Sequence, residues 1–227
     1  MLNLPMTMGA CKVSDDLLGH LNYIFSICLN KHCKGLVMIR VTGGEIRGRA
    51  LKVFSGAKVR PTSDKVRQAI FNILEHRFET EISMARALDL FAGSGSLGAE
   101  FLSRGGAYLC AVESDSRTLA VLRTNLKTVQ AALKHDDVQI DIVAQRVERY
   151  LKKPPQTPFE FIFIDPPYKE RLGPKLLELL CEGWLTADGI VMIEHEKKDI
   201  FVPPQGWILD DRRPYGDTLI SFLIKQE

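Results

Sequence analysis

The chain has 227 residues, 45% of them hydrophobic and 26% charged, with a net charge of +2. This is ordinary globular composition, enough for one domain and an appendage. No apolar run reaches the roughly 20 residues of a membrane helix. The five cysteines (Cys11, Cys28, Cys33, Cys110 and Cys181) are odd in number and irregularly spaced, which reads as reduced thiols in a cytoplasmic protein.

Residues 1–37 differ from the rest and read as a dispensable extension. They lack the basic leader and small-residue cleavage site of a signal peptide. Cys28, His32 and Cys33, with His20 upstream, lack the paired ligand spacing of a zinc site, so no metal is expected. From Ile39 to Val53, two β-type runs flank Gly43-Gly44 and Gly48, a hairpin pattern. Pro61-Thr62-Ser63-Asp64 then opens a helix, with Val66, Ile70, Phe71, Ile73 and Leu74 at helical spacing.

This segment is strongly basic. Between Met38 and Arg67 stand Arg40, Arg47, Arg49, Lys52, Lys58, Arg60, Lys65 and Arg67, opposed only by Glu45 and Asp64, a local charge of +6 on an otherwise mildly acidic body. A polyanion docked at one place would account for it. A solvated charged surface would account for it equally.

Beyond residue 80 the pattern alternates. Strands are expected near 86–91, 107–113, 138–143, 159–165 and 189–194, with helices near 96–104, 115–132, 145–152 and 172–182. Apolar strands alternating with helices predict an α/β fold with a parallel sheet covered on both faces. At the end, Trp207–Asp210 and Thr218–Ile224 flank Pro214-Tyr215-Gly216-Asp217, an antiparallel hairpin. The expected organisation is an extension (1–37), a basic hairpin and helix (38–80) and a larger domain (81–227).

Two stretches carry chemistry. After the run Ala87–Phe91 comes Gly93-Ser94-Gly95-Ser96-Leu97-Gly98, a G-x-G-x-x-G turn opening a helix. Such glycines let a ligand approach the main chain beside free helix N–H groups. The next strand ends in Glu113, a carboxylate placed to accept two ribose hydroxyls. This much fits an NAD enzyme and an S-adenosylmethionine enzyme alike. Asp89 before the turn favours a cationic ligand over a pyrophosphate.

The second stretch is Asp165-Pro166-Pro167-Tyr168, closing the fourth strand at the same sheet edge. Two prolines remove two N–H donors and fix φ, leaving carbonyls as fixed acceptors. Asp165 and a turn carbonyl can take the two hydrogens of a planar exocyclic amine while Tyr168 stacks on its base. Catalysis would then be positioning and electrostatics, with no metal. Glu194-His195-Glu196 reads as a solvated strand end, Trp184 and Trp207 as packing, and Cys110 as a small core hydrophobe.

These residues resemble class I S-adenosylmethionine-dependent methyltransferases acting on amino nitrogens. Within them the chain resembles the RsmD family of 16S ribosomal RNA guanine-N2 methyltransferases, through VTGGEIRGRALKV, RPTSDKVRQAIFNIL, DLFAGSGSLGAEFLSRG, VESD and FIDPPY. The resemblance implies a Rossmann-like, mainly parallel seven-stranded sheet ending in an antiparallel hairpin. It implies S-adenosylmethionine held by Asp89, Phe91, Gly93, Gly95 and Glu113, with Gln145 and Arg146 standing where such enzymes often place an acid or amide on the adenine. It implies Asp165, Pro166, Pro167 and Tyr168 at the target amine, and Arg40, Arg47, Arg49, Lys52, Arg60, Lys65 and Arg67 on ribosomal RNA of the small subunit. The protein is expected to be a monomer. The competing readings are an amino-nitrogen methyltransferase acting on DNA adenine or a protein glutamine, an NAD(P)-binding oxidoreductase, and a non-catalytic RNA-binding module.

Overall fold

The computed structural model describes residues 35–54, 63–134, 137–167 and 172–226. Expectations for the extension up to residue 34, for Lys58, Arg60 and Tyr168, and for Cys28, His32 and Cys33 lie outside the described residues. The chain divides into two units, Met1–Leu36 and Val37–Glu227. The second unit takes in residues 38–80 together with everything that follows them.

Strands β1 (Leu36–Arg40) and β2 (Ala50–Phe54) form a two-stranded sheet. Helix α1 (Asp64–Arg77) follows. The Ser63 side chain caps it by accepting from Val66 N, and Asp64 complements the helix dipole in the first turn. Next come β3 (Arg86–Leu90), α2 (Ser96–Ser103), β4 (Tyr108–Glu113), α3 (Ser116–Gln130), β5 (Gln139–Ala144), α4 (Val147–Tyr150), β6 (Phe159–Ile164), α5 (Gly173–Leu179), β7 (Leu185–Glu196), β8 (Trp207–Tyr215) and β9 (Thr218–Lys225).

Strands β3 to β9 form one seven-stranded sheet in the order β5-β4-β3-β6-β7-β9-β8. The five strands from β5 to β7 run parallel, while β9 pairs antiparallel with β7 and β8 with β9. This is the expected class I methyltransferase architecture. Alternate residues of each strand face opposite sides. On one side Ala87, Phe161, Phe163, Met192 and Phe222 pack with Phe71 of α1, Phe101 of α2 and Leu122 of α3. On the other, Leu88, Leu90, Ile162, Ile164, Val191 and Ile193 pack with Leu176 and Leu177 of α5 and with Trp184. The central strands are apolar on both faces because helices cover both.

Three elements differ from expectation. The helix foreseen over 145–152 is a single turn, Val147–Tyr150. Strand β7 starts at Leu185, earlier than its apolar run, because Leu185 already pairs with Phe159 across an irregularity in the ladder. The C-terminal hairpin is longer than expected: Pro214 and Tyr215 lie in β8, and the turn is only Gly216-Asp217, with Gly216 at φ 61°. Trp184 and Trp207 are buried as expected, and Trp207 Nε1 donates to Leu177 O at 3.0 Å.

Strand β3 lies at the centre. From it the chain winds to β4 and β5 on one side, then returns to β6 on the other. The crevice above the carboxyl ends of β3 and β6 is therefore the topological switch point, where open α/β sheets bind ligands.

Candidate active site and nucleic-acid interface

The glycine turn follows directly from the carboxyl end of β3. Three of its residues are left-handed: Phe91 (φ 61°), Gly93 (φ 56°) and Gly95 (φ 78°). At Gly95 the left-handed backbone favours glycine, and a Cβ there would lie 2.6 Å from Leu122 Cδ1, which would have to shift. At Gly93 the space around a Cβ is nearly open, with only Phe91 O within 4 Å, at 3.7 Å. The main chain there can be approached closely. Phe91 adopts the same region with a side chain, a strain of roughly 1–3 kcal/mol that functional turns carry.

Glu113 at the end of β4 fastens this turn. Its Oε2 accepts from Gly93 N at 3.0 Å, and its Oε1 accepts from Ser114 N at 2.6 Å and Asp115 N at 2.8 Å. A carboxylate has about four acceptor sites, so Glu113 is rigidly placed with capacity left for a ligand hydroxyl. Gln145 N donates to Glu113 O at 3.0 Å, which brings the end of β5 to the same edge, and Arg146 beside it is exposed.

Asp89 lies beneath the turn, 1% exposed, with Oδ2 accepting from Gly98 N at 3.2 Å. Burial pushes its carboxyl up to about 7. The Gly98 hydrogen bond opposes that rise and the charge of Glu113 adds to it. Asp89 thus holds the first turn of α2.

Across the switch point, Asp165-Pro166-Pro167 continues β6. Asp165 is half-buried, Pro166 buried and Pro167 exposed. Since β3 and β6 are paired neighbours, the turn and Asp165 sit on adjacent strands, about 5 Å apart in strand spacing. A pocket of 150 Å³ opens beside Pro166 and is also lined by Leu172, Ile193, Glu194, His195 and Phe201.

His195 in this pocket is a correction to the solvated strand end expected of it, being 8% exposed. Its Nε2 lies 2.8 Å from Ser221 Oγ and its Nδ1 3.2 Å from Glu196 O. Arg212 Nε donates to Ser221 Oγ at 2.9 Å. The Glu196 carbonyl can only accept, so the proton belongs on Nδ1 and Ser221 donates to Nε2. Burial lowers the imidazole's pKa, which keeps it neutral. His195 is thereby a strut between β7 and the hairpin.

The basic segment is more tightly built in than its composition suggests. Between β1 and β2, residues 41–49 dock on α2. Glu100, wholly buried in that helix, accepts from Thr42 N at 2.8 Å, from Thr42 Oγ1 at 2.7 Å and from Arg104 Nε at 3.0 Å. Ser103 Oγ donates to Gly43 O at 2.6 Å and accepts from Ile46 N at 3.1 Å. Asn125 of α3 accepts from Lys52 N at 3.0 Å, while its Nδ2 donates to Lys52 O and to Ser94 O, both at 2.8 Å.

Arg67 is a second correction. It was expected on an RNA-facing surface, but its side chain has 0% exposure. It pairs with Glu100 at 3.4 Å and Asp64 at 2.9 Å, and donates to Arg40 O. A buried Glu100 needs buried cations, and Arg67 and Arg104 supply them. Arg40, Arg47, Arg49, Lys52 and Lys65 are exposed. Arg47 and Arg49 line a 530 Å³ groove with Thr128 and Ala132.

The chain is similar to known proteins over most of its length. A family model described as "Conserved hypothetical protein 95" matches residues 39–224. "Ribosomal RNA small subunit methyltransferase D" of Haemophilus influenzae is 34% identical over 190 residues, covering 83% of this chain and 93% of that protein. The chain belongs to the RsmD family. Another member-like relative, "Putative rRNA methyltransferase YlbH" of Bacillus subtilis, is 39% identical, covering 83% of this chain and 100% of its own. Among solved structures, "Putative methyltransferase yhhF" from Escherichia coli superposes with a TM-score of 0.69 at 29% identity, covering 84% of this chain and 99% of its own.

Asn125, Glu100 and Ser103 escaped the reading of motifs, though each left a trace. Asn125 falls on the buried stripe of α3, in step with Leu122, Leu126 and Val129. Glu100 is a lone acid in the apolar LGAEFL. A polar residue on an apolar face announces a buried partner but not which one.

Proposed function

We propose that this RsmD-family protein transfers a methyl group from S-adenosylmethionine to the exocyclic N2 of a guanine in 16S ribosomal RNA. The observation that carries the reading is the pairing of β3 with β6. It sets a glycine turn fastened by Glu113 beside an Asp-Pro-Pro turn that has acceptors and few donors.

The turn suits this ligand better than a dinucleotide. A pyrophosphate needs free main-chain donors. Here Gly93 N is engaged by Glu113, Gly95 N donates to Ala92 O at 2.7 Å, and a buried acid lies below. Adenosine needs hydroxyl acceptors, which Glu113 provides, and the Gln145 and Arg146 segment lies next to it for the adenine. When bound, the cofactor supplies a methyl group on a sulfonium. The chain then has to hold the amine. Asp165 accepts one N–H and a turn carbonyl the other, Pro166 and Pro167 keep those acceptors fixed, and Tyr168 stacks on the base. The amine's lone pair, otherwise delocalised into the ring, is favoured towards the methyl group; as the nitrogen–carbon bond formed, the sulfur–carbon bond would break to leave an uncharged thioether, and the surplus amine proton would pass to Asp165, which already accepts from it. Exposed Arg40, Arg47, Arg49, Lys52 and Lys65, with Arg60, would meet RNA phosphates. The protein would act as a cytoplasmic monomer on the small subunit or its precursor.

The test is transfer of radiolabelled methyl from S-adenosylmethionine to undermethylated small subunits, naked ribosomal RNA, duplex DNA and bulk protein, followed by nucleoside analysis. Label in N2-methylguanosine supports the proposal. Label only in DNA or protein, or no binding of S-adenosylmethionine, refutes it.

A further inference from the structure

The loop of the basic hairpin sits away from the proposed transfer chemistry. Helices α2 and α3 both begin at the cofactor edge, one after the glycine turn and the other after Glu113. Residues 41–49 dock towards their opposite ends. Glu45 N donates to Ser103 O at 2.6 Å in the last turn of α2, and Glu45 Oε1 accepts from Lys134 N at 3.0 Å, beyond the end of α3. From Ser96 to Ser103 and from Ser116 to Thr128 the two helices cover roughly 10 and 18 Å. The 530 Å³ groove lined by Arg47, Arg49 and Thr128 lies at this end. Asp165 follows β6, two places across the sheet from the β4 strand that carries Glu113. A phosphate in the groove thus belongs to a nucleotide several positions from one held at Asp165, or to another strand.

The groove's lining selects a class of ligand. Arg47 and Arg49 are exposed on its wall, Arg40 reaches it by donating from Nη1 to Gly48 O at 3.0 Å, and exposed Lys134 stands beside Glu45. Glu45 is the one acid among the described lining residues, and Lys134 N already engages it. Gly48, Ala50 and Ala132 leave the floor low, and a Cβ at Gly48 would meet nothing within 4 Å. A ligand can therefore approach the main chain. No aromatic side chain stands among the described lining residues, so a base has no ring to stack on. Cations without a stacking surface suit a sugar–phosphate backbone, bound without regard to sequence. We infer that this groove is a second RNA contact, remote from the reacting base, which grips phosphates several nucleotides from the methylated one. This rests on the reading that the substrate is ribosomal RNA. Such a contact strengthens capture of an extended RNA and has no part in the transfer step.

The test compares methylation of undermethylated small subunits by the wild type, by the double variant Arg47→Ala with Arg49→Ala, and by Arg47→Lys with Arg49→Lys. The alanine pair should lower kcat/KM by on the order of 10-fold, through KM, and make the slope of log affinity against log salt shallower by about 1 to 2. The lysine pair should restore most of both, because a phosphate is met by charge. A photoreactive azidophenylalanine in place of Thr128 then locates the partner. Its adduct should form with ribosomal RNA, at nucleotides removed from the methylated guanine. An adduct on that guanine's immediate neighbours or on a ribosomal protein, no adduct, a loss that falls on kcat, or a lysine pair as impaired as the alanine pair overturns the inference. If the wild type transfers no methyl group to RNA, the proposed function itself falls and this assignment with it.

Discussion

Asn125 grips the main chain of Lys52 from both sides, accepting from its N–H at 3.0 Å and donating to its carbonyl at 2.8 Å. The same amide nitrogen reaches Ser94 O in the glycine turn. One buried side chain on α3 therefore links the basic hairpin to the turn proposed to hold the cofactor.

Asn125→Ala should loosen both at once. The loss is expected to be about 1–3 kcal/mol of stability, the range for leaving buried polar partners unmet. Binding of S-adenosylmethionine should weaken several-fold. Denaturant unfolding and equilibrium binding check this, and a variant with unaltered cofactor affinity would show that the link is purely structural.

Asp165→Ala should reduce methyl transfer by roughly 10²–10³-fold, the loss typical of removing one preorganised electrostatic partner. S-Adenosylmethionine should bind nearly as before, because Glu113 and the turn are anchored on β3 and β4. Single-turnover transfer and isothermal titration separate the two. Comparable turnover would rule out the amine-holding role.

Asp89 ties stability to pH. Its carboxyl is raised to about 7 from the usual 3.8, so between those values the folded protein keeps a proton that the unfolded chain has released. Its contribution is full below about pH 4, falls as pH rises to about 7, and is level above. Asp89→Asn does not titrate and still offers an oxygen to Gly98 N. Relative to the wild type, the variant should gain up to about 4 kcal/mol between pH 4 and 8. Urea midpoints at both pH values measure it. A difference that stays constant with pH would mean that Asp89 is ionised throughout.

Arg67 and the exposed arginines should part company. Arg67→Ala leaves Glu100 underpaired in the core and should cost on the order of 3 kcal/mol. Neutralising Arg47, Arg49 and Lys52 together should leave the fold intact and weaken RNA binding. The slope of log affinity against log salt should become shallower by about 2 to 3. Filter binding at several salt concentrations tests this, and an unchanged slope would move the RNA surface elsewhere.

These contrasts mark where sequence reasoning reached and where it stopped. The sheet was readable because FEFIFI and YLCAVE are apolar on both faces, which only a strand covered by helices tolerates. The glycine turn and its acid were readable because their spacing is local. Arg67 was misplaced because a basic run looks uniform along the chain, and its partner lies 33 residues away in another helix. Glu194, read with His195 as a solvated strand end, is 3% exposed, because β7 continues to Glu196 and pairs there with β9, a coverage that only the distant hairpin supplies.

Because β3 carries β4 on one flank and β6 on the other, the glycine turn and Glu113 lie to one side of the switch point and Asp165 to the other, and the chain runs through β5 before it returns to complete the edge. A truncation after β5 would therefore remove Asp165 together with the strand that presents it, while leaving the turn and Glu113 in the remaining sequence.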